Sequence, residues 1–148
     1  MLDWLLRTDD SLSHLILRLT LGIVFFAHGA QKMLGWFGGY GFSGTMQFFT
    51  QQMGIPAVFA FLAIMAEFLG SFALILGFGT RVAALGVAIV MVVAVVTTHL
   101  QHGFFMNWFG NQKGEGFEFH VLVIAIAVVL GLKGAGPYSV DGLMVRGK

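Results

Sequence analysis

An all-α integral membrane bundle is the fold class this sequence predicts, and three observations predict it. Hydrophobic residues make up 57% of the chain and charged residues only 10%, where an ordinary soluble domain carries about 25% charged. The apolar residues gather in four stretches near the ~20 residues that a bilayer-spanning helix needs. The ionisable residues inside those stretches are single and widely spaced, and each must face protein or water rather than lipid. Mean hydropathy is +0.87, and a length of 148 residues suits one transmembrane domain over 1–148.

Composition also excludes several function classes. A net charge of +1 argues against nucleic acid as a partner. The absence of cysteine removes disulfides, thiolate nucleophiles, iron–sulfur clusters and cysteine zinc sites. Any redox role then rests on a bound cofactor or on a partner's sulfur.

Residues 1–11 read as a short amphipathic turn with Trp4, Leu5 and Leu6 at the interface. Asp3, Arg7, Asp9 and Asp10 leave no basic leader region, so no cleavable signal is expected and the first apolar segment stays in the membrane. Asp10 or Ser11 caps the first span, 12–34. On this helix Arg18, Gly22, Phe25, Gly29 and Lys32 share a narrow arc, and His28 lies one i,i+4 step before Lys32.

Residues 35–55 are rich in glycine and aromatics, including Trp36, Phe37, Tyr40 and Phe42. Ser43 is expected to cap a short helix over 44–53 that lies on the membrane as a lid. The second span, 56–78, carries one charge, Glu67, among Ala60, Ala63, Gly70 and Ser71, a face of small residues that lets another helix approach closely. The third span, 82–100, is the most apolar and ends in Thr97-Thr98-His99-Leu100-Gln101-His102. A second aromatic loop with Phe104, Phe105, Trp108 and Phe109 leads into the fourth span, 117–132, which opens with Glu118 and His120 and closes at Lys133. Gly134, Gly136 and Pro137 then end the helix.

Four spans put both termini on one side, together with Arg7, Arg81, Lys133, Arg146 and Lys148; the opposite loops hold Lys113, with Lys32 at the edge. The positive-inside rule predicts a multi-pass protein of the cell (inner) membrane with both termini cytoplasmic. At about 1.5 Å of rise per residue, His28, Gln31, Lys32, Thr98, His99, His102, Glu118 and His120 converge on one outer layer. Glu67 lies below that layer and Arg18 lower still. Bland roles exist for each: Lys32 snorkelling to headgroups, histidines wet at helix ends, and Glu67 locked in a structural ion pair with Arg18. Otherwise Glu67 is a candidate proton donor or acceptor.

The order and spacing of Arg18 with Gly22, His28-Gly29, Lys32, Gly54-Ile55-Pro56, Ala66-Glu67 with Gly70, Leu76-Gly77, Thr80-Arg81, and Gly134, Gly136-Pro137 and Ser139-Val140-Asp141 resembles the DoxX family of small four-helix membrane proteins. The resemblance covers most of the chain. It implies a membrane subunit linked to redox chemistry: the family is named for a subunit of an archaeal thiosulfate:quinone oxidoreductase, and other members are associated with thiol and oxidative-stress systems. It supplies no universally established catalytic residues.

The leading expectation is a redox-associated membrane subunit with a quinone-like or small hydrophobic ligand in the outer half. His28 and Glu67 are its candidate catalytic residues, and Lys32, Trp36, Phe37, His99, Trp108 and His120 its candidate ligand-binding residues. A quinone site needs an apolar slot, a donor to each carbonyl oxygen and a proton route. The chain has no evident electron carrier, so electrons are expected from a partner. A non-catalytic alternative is a membrane anchor for a soluble oxidoreductase. A lesser one is a metal or haem site on His99-x-x-His102 with His28 and His120 near in depth. A hydrophobic-molecule carrier is the weakest, lacking inverted repeats or broken helices.

Overall fold

Ser11 starts the first long helix. Its backbone is extended, and its hydroxyl accepts from the Ser13 N–H at 3.3 Å, one of the donors a helix start leaves free. The computed structural model describes residues 2–146; Met1, and Lys148 with its expected contribution to the inner charge, lie outside the described residues. The helices are α1 (Leu2–Leu6), α2 (Leu12–Leu34), α3 (Gly41–Gln47), α4 (Ala57–Leu76), α5 (Thr80–Ala94), α6 (Glu118–Lys133) and α7 (Val140–Arg146). Among the described residues there is no strand. Two π turns occur, Phe48–Gln52 following α3 and Val95–His99 following α5. A 3₁₀ turn, Leu100–His102, completes the α5 rod.

Among the described residues three elements are long and apolar enough to cross a membrane: α2, α4 and the rod Thr80–His102. The fourth expected span, α6, has 16 residues, or about 24 Å of rise, which is shorter than its companions. Large apolar side chains such as Ile16, Ile23, Val58, Leu69, Leu85 and Ile89 point outward, as lipid-facing positions do in such helices.

α2 packs mainly on α4, while α5 packs on both α4 and α6; the contact of α2 with α6 is thinner. Their shared core is Leu21, Phe25, Leu74, Ala84, Val87, Met91, Val123, Ala127 and Leu130. The close α2–α4 approach rests on glycines of α2. A Cβ at Gly29 would lie 2.6 Å from Phe68 Cα, and one at Gly22 would lie 2.8 Å from Ile75 Cγ1. Gly70, expected to serve that purpose from the α4 side, has nothing within 4 Å of such a Cβ.

The two ends of the molecule differ. At the end holding both termini, Arg18 is wholly buried and donates to the carbonyls of Leu74 (2.8 Å), Ile75 (2.7 Å), Ala135 (3.0 Å) and Tyr138 (3.0 Å). Arg81 donates to Gly131 and Leu132 at the end of α6 and to Arg7, with its guanidinium 4.8 Å from the Trp4 ring. Each arginine thus serves carbonyls that a helix C-terminus leaves unpaired. Asp141 does the converse, accepting from the Gly79 and Thr80 N–H groups at the start of α5. The tail that ends α6 at Gly134 therefore returns as α7, an element the sequence reading missed; Ser139 accepts from the Gly142 N–H at its start.

At the opposite, loop end, α2 stops at Gly35 (φ 74°) and the chain folds back over it. Gly39 lies so close to the Gln31 backbone that no side chain fits there. The Thr45 hydroxyl donates to the Lys32 carbonyl at 3.2 Å and ties α3 down. This fold-back delivers the chain into helix at Gly41, so Ser43 lies inside α3 and is not its cap, as the sequence had suggested.

Candidate functional site

The ionisable residues at the loop end come one or two from each of four helical rods. α4 supplies Glu67, α2 supplies Lys32 and His28, the π turn after α5 supplies His99, and the first turn of α6 supplies His120.

Glu67 pairs with Lys32, Nζ to Oε2 at 2.5 Å, with its side chain 5% exposed and that of Lys32 24% exposed. The expected Arg18–Glu67 pair does not form. The reason is directional. Side chains on a helix lean toward its N-terminus. Glu67 sits at the level of Gly29, so Lys32, a turn beyond, leans back toward it. Arg18 is eleven positions before Gly29, roughly 16 Å by rise, and leans further away, onto the end of α4. The carboxylate is therefore held by a cation from the loop end.

His28 is exposed on the surface of α2, its ring 6.1 Å from Phe25 and 6.3 Å from Phe119 between centroids. This is the thinly packed α2–α6 side. His120 is buried, and its ring lies 4.1 Å from that of His99. His99 Nδ1 is 2.8 Å from the Glu115 carbonyl. A carbonyl only accepts, so Nδ1 is the donor in this contact. The buried Nδ1 of His120 has no hydrogen-bond partner.

The aromatic candidates are not gathered over these groups. Trp36 and Phe37 are exposed and meet edge-on, with Trp36 also against Phe26. Trp108 is exposed, and its indole N–H donates to Glu118 at 3.0 Å. Glu118 also accepts from the Met106 N–H, and Glu115 accepts from the Asn107 N–H. These carboxylates order the loop. A cleft of about 320 Å³ does open at this end, between Phe48, Gln52 and Met53 on one side and Thr97 and Thr98 on the other. None of the ligand-binding residues named from sequence lines it. His102 does not join His99: it lies under Gly114, where a Cβ would come within 2.5 Å of its Nε2. Among the described residues, no three His, Asp or Glu side chains are arranged to hold a metal ion.

Sequence reasoning missed the Lys32–Glu67 pairing, though the lean of helical side chains would have indicated it. It also missed the His99–His120 contact, because nothing in the spacing announces a π turn.

An apolar helical chain with membrane-length spans and a buried ion pair near one end is a small integral membrane protein. The DoxX family model matches residues 13–100, and the chain belongs to the DoxX family. It is 30% identical over 134 residues to a Bacillus subtilis (strain 168) protein carrying the name "Putative oxidoreductase CatD", covering 90% of this chain and 88% of that one. It is 29% identical over 130 residues to "Inner membrane protein YqjF" of Escherichia coli (strain K12), covering 88% and 90% respectively. No solved structure matches it.

Proposed function

We propose that this DoxX protein is a redox-associated subunit of the inner membrane, and that its loop-end ionisable groups exchange protons with a small hydrophobic, quinone-like ligand. The observation that carries this reading is the buried Lys32–Glu67 pair, with His28 on the same helix as Lys32 and His99 against His120 at the same end. An intramembrane ionisable group points to function unless packing alone explains it. Here an exposed imidazole, His28, borders the thin α2–α6 contact through which a ligand dissolved in lipid would arrive.

In this reading His28 and Lys32 donate to a ligand oxygen, and Glu67 holds or releases the accompanying proton. The His99–His120 pair adjoins the ordered loop through His99 and the Glu115 carbonyl. Electrons come from a partner oxidoreductase, since a chain without cysteine has no thiol couple of its own. The name of the Bacillus relative supports a redox association. The three long rods and the shorter α6 act as four spans, with the basic residues at the termini end facing the cytoplasm.

The test is equilibrium binding of a short-chain benzoquinone to the purified protein in detergent. Saturable binding that weakens in Glu67→Gln and in His28→Ala is expected. Unchanged binding in both variants removes this assignment. A second reading has one observation in its favour: the same ion pair joins α2 to α4 and would serve a non-catalytic anchor as well. In that case Glu67→Gln loses bundle stability or a soluble partner while ligand binding stays flat.

A further inference from the structure

The rod that carries His99 changes register just before it reaches the site. Along α5 the buried positions are Thr80, Arg81, Ala84, Val87 and Met91, a helical stripe at steps of three and four. Continued at the same spacing, the stripe next reaches 94 or 95 and then 98, so an uninterrupted helix turns Thr98 inward. His99 would then lie about 100° around the helix from that face. Instead His99 meets buried His120, and Thr98 lines the cleft facing Phe48, Gln52 and Met53.

The displacement has a local cause. Residues Val95–His99 form a π turn, closed by the Leu100 N–H on the Val95 carbonyl. A π turn takes up one extra residue, which advances everything beyond it by one position. The Thr97 hydroxyl donates to the Val93 carbonyl at 2.7 Å, four residues back. This kind of back-bond occupies the carbonyl and opens or bends the helix. Across the cleft the second π turn carries the same device: the Thr50 hydroxyl donates to the Met46 carbonyl at 2.8 Å, and Phe48 and Gln52 of that turn form the other wall.

We infer that Thr97 is a positioning residue: its bond to the Val93 carbonyl holds the π turn that exchanges Thr98 for His99 on the inward face and so brings His99 to His120. The relevance of this to ligand chemistry rests on the function proposed above; the register itself does not. Thr97 is exposed, so replacing it disturbs the backbone bond and not the core.

The absence of cysteine makes a direct register test available. His120→Cys is combined with either His99→Cys or Thr98→Cys, and each pair is treated with a short bifunctional thiol reagent. With Thr97 present, the 99–120 pair crosslinks and the 98–120 pair does not. In Thr97→Val, and equally in Thr97→Ala, the 99–120 product is lost and the 98–120 product appears. Thr97→Ser, which keeps the hydroxyl, restores the original pattern. Retention of the 99–120 product in both Thr97→Val and Thr97→Ala overturns the inference. In the otherwise unmodified chain, short-chain benzoquinone binding falls in Thr97→Val as it does in His99→Ala and is kept in Thr97→Ser. If the parent protein does not bind the quinone, the function proposed above fails, while the crosslinking pattern still decides the role of Thr97.

Discussion

Removing Lys32 and removing Glu67 should not cost the same. Lys32→Met leaves a carboxylate whose side chain is 5% exposed with no cation to meet it. Breaking a buried pair from one side costs about 3–5 kcal/mol, because the remaining charge is uncompensated. Glu67→Gln leaves the lysine, whose side chain is 24% exposed and which stands in the last turn of α2. That side chain can swing toward the headgroups, and the glutamine still offers an oxygen to accept from it. The cost is then that of one weakened charged hydrogen bond, about 1–3 kcal/mol. The double variant Lys32→Met/Glu67→Gln should fall well short of the sum, by roughly 1–3 kcal/mol, as directly coupled residues do. Reversible unfolding in mixed micelles with increasing denaturing detergent reads all three. Equal costs for the two single variants, with an additive double, refute the geometry of the pair.

Three further outcomes follow from the packing. Arg18→Lys replaces a planar fork donating to four carbonyls with a single point donor, and should cost about 3 kcal/mol or more in the same assay. Gly29→Ala puts a methyl against the Phe68 backbone and should cost about 1–3 kcal/mol, while Gly70→Ala, with open space around it, should stay within about 0.5 kcal/mol of the parent. Asp141→Ala removes the acceptor for the Gly79 and Thr80 N–H groups at the start of α5 and should cost about 0.5–2 kcal/mol, seen also as faster hydrogen exchange at both.

The helices were legible because their signals are local. Ser11 before an apolar run, Gly35 and Gly77 after one, and Pro56 ahead of another mark ends that the backbone then honours. What ran beyond local signals was less legible. Arg18 and Glu67 are the obvious opposite charges of the first two spans, yet a charge count says nothing of which way each side chain leans. Arg18 turns out to need no carboxylate, since carbonyls at the end of α4 and in the tail between α6 and α7 accept from it. The small-residue face of α4 is a buried contact surface toward α2, but the tightest approaches are made by Gly22 and Gly29 of α2 and not by Gly70. The return of the tail as α7 depends on Arg18 and Asp141 meeting residues far away in sequence. The loop-end polar residues could be grouped by their depth along the helices, but how they pair was not legible: Glu67, placed below that group, meets Lys32, and His99 meets His120 beyond a π turn that apolar periodicity does not encode.

The most direct test of the loop-end site is to label it with the ligand class proposed for it. A photoreactive azido-benzoquinone is bound to the purified protein, activated by light, and the labelled peptides are mapped. Labelling is expected around His28–Trp36, Val95–His102 and Glu118–Val121, suppressed by excess unreactive quinone and reduced in Glu67→Gln. Labelling spread along the lipid-facing surface of Val82–Val93, and indifferent to competitor, would contradict it.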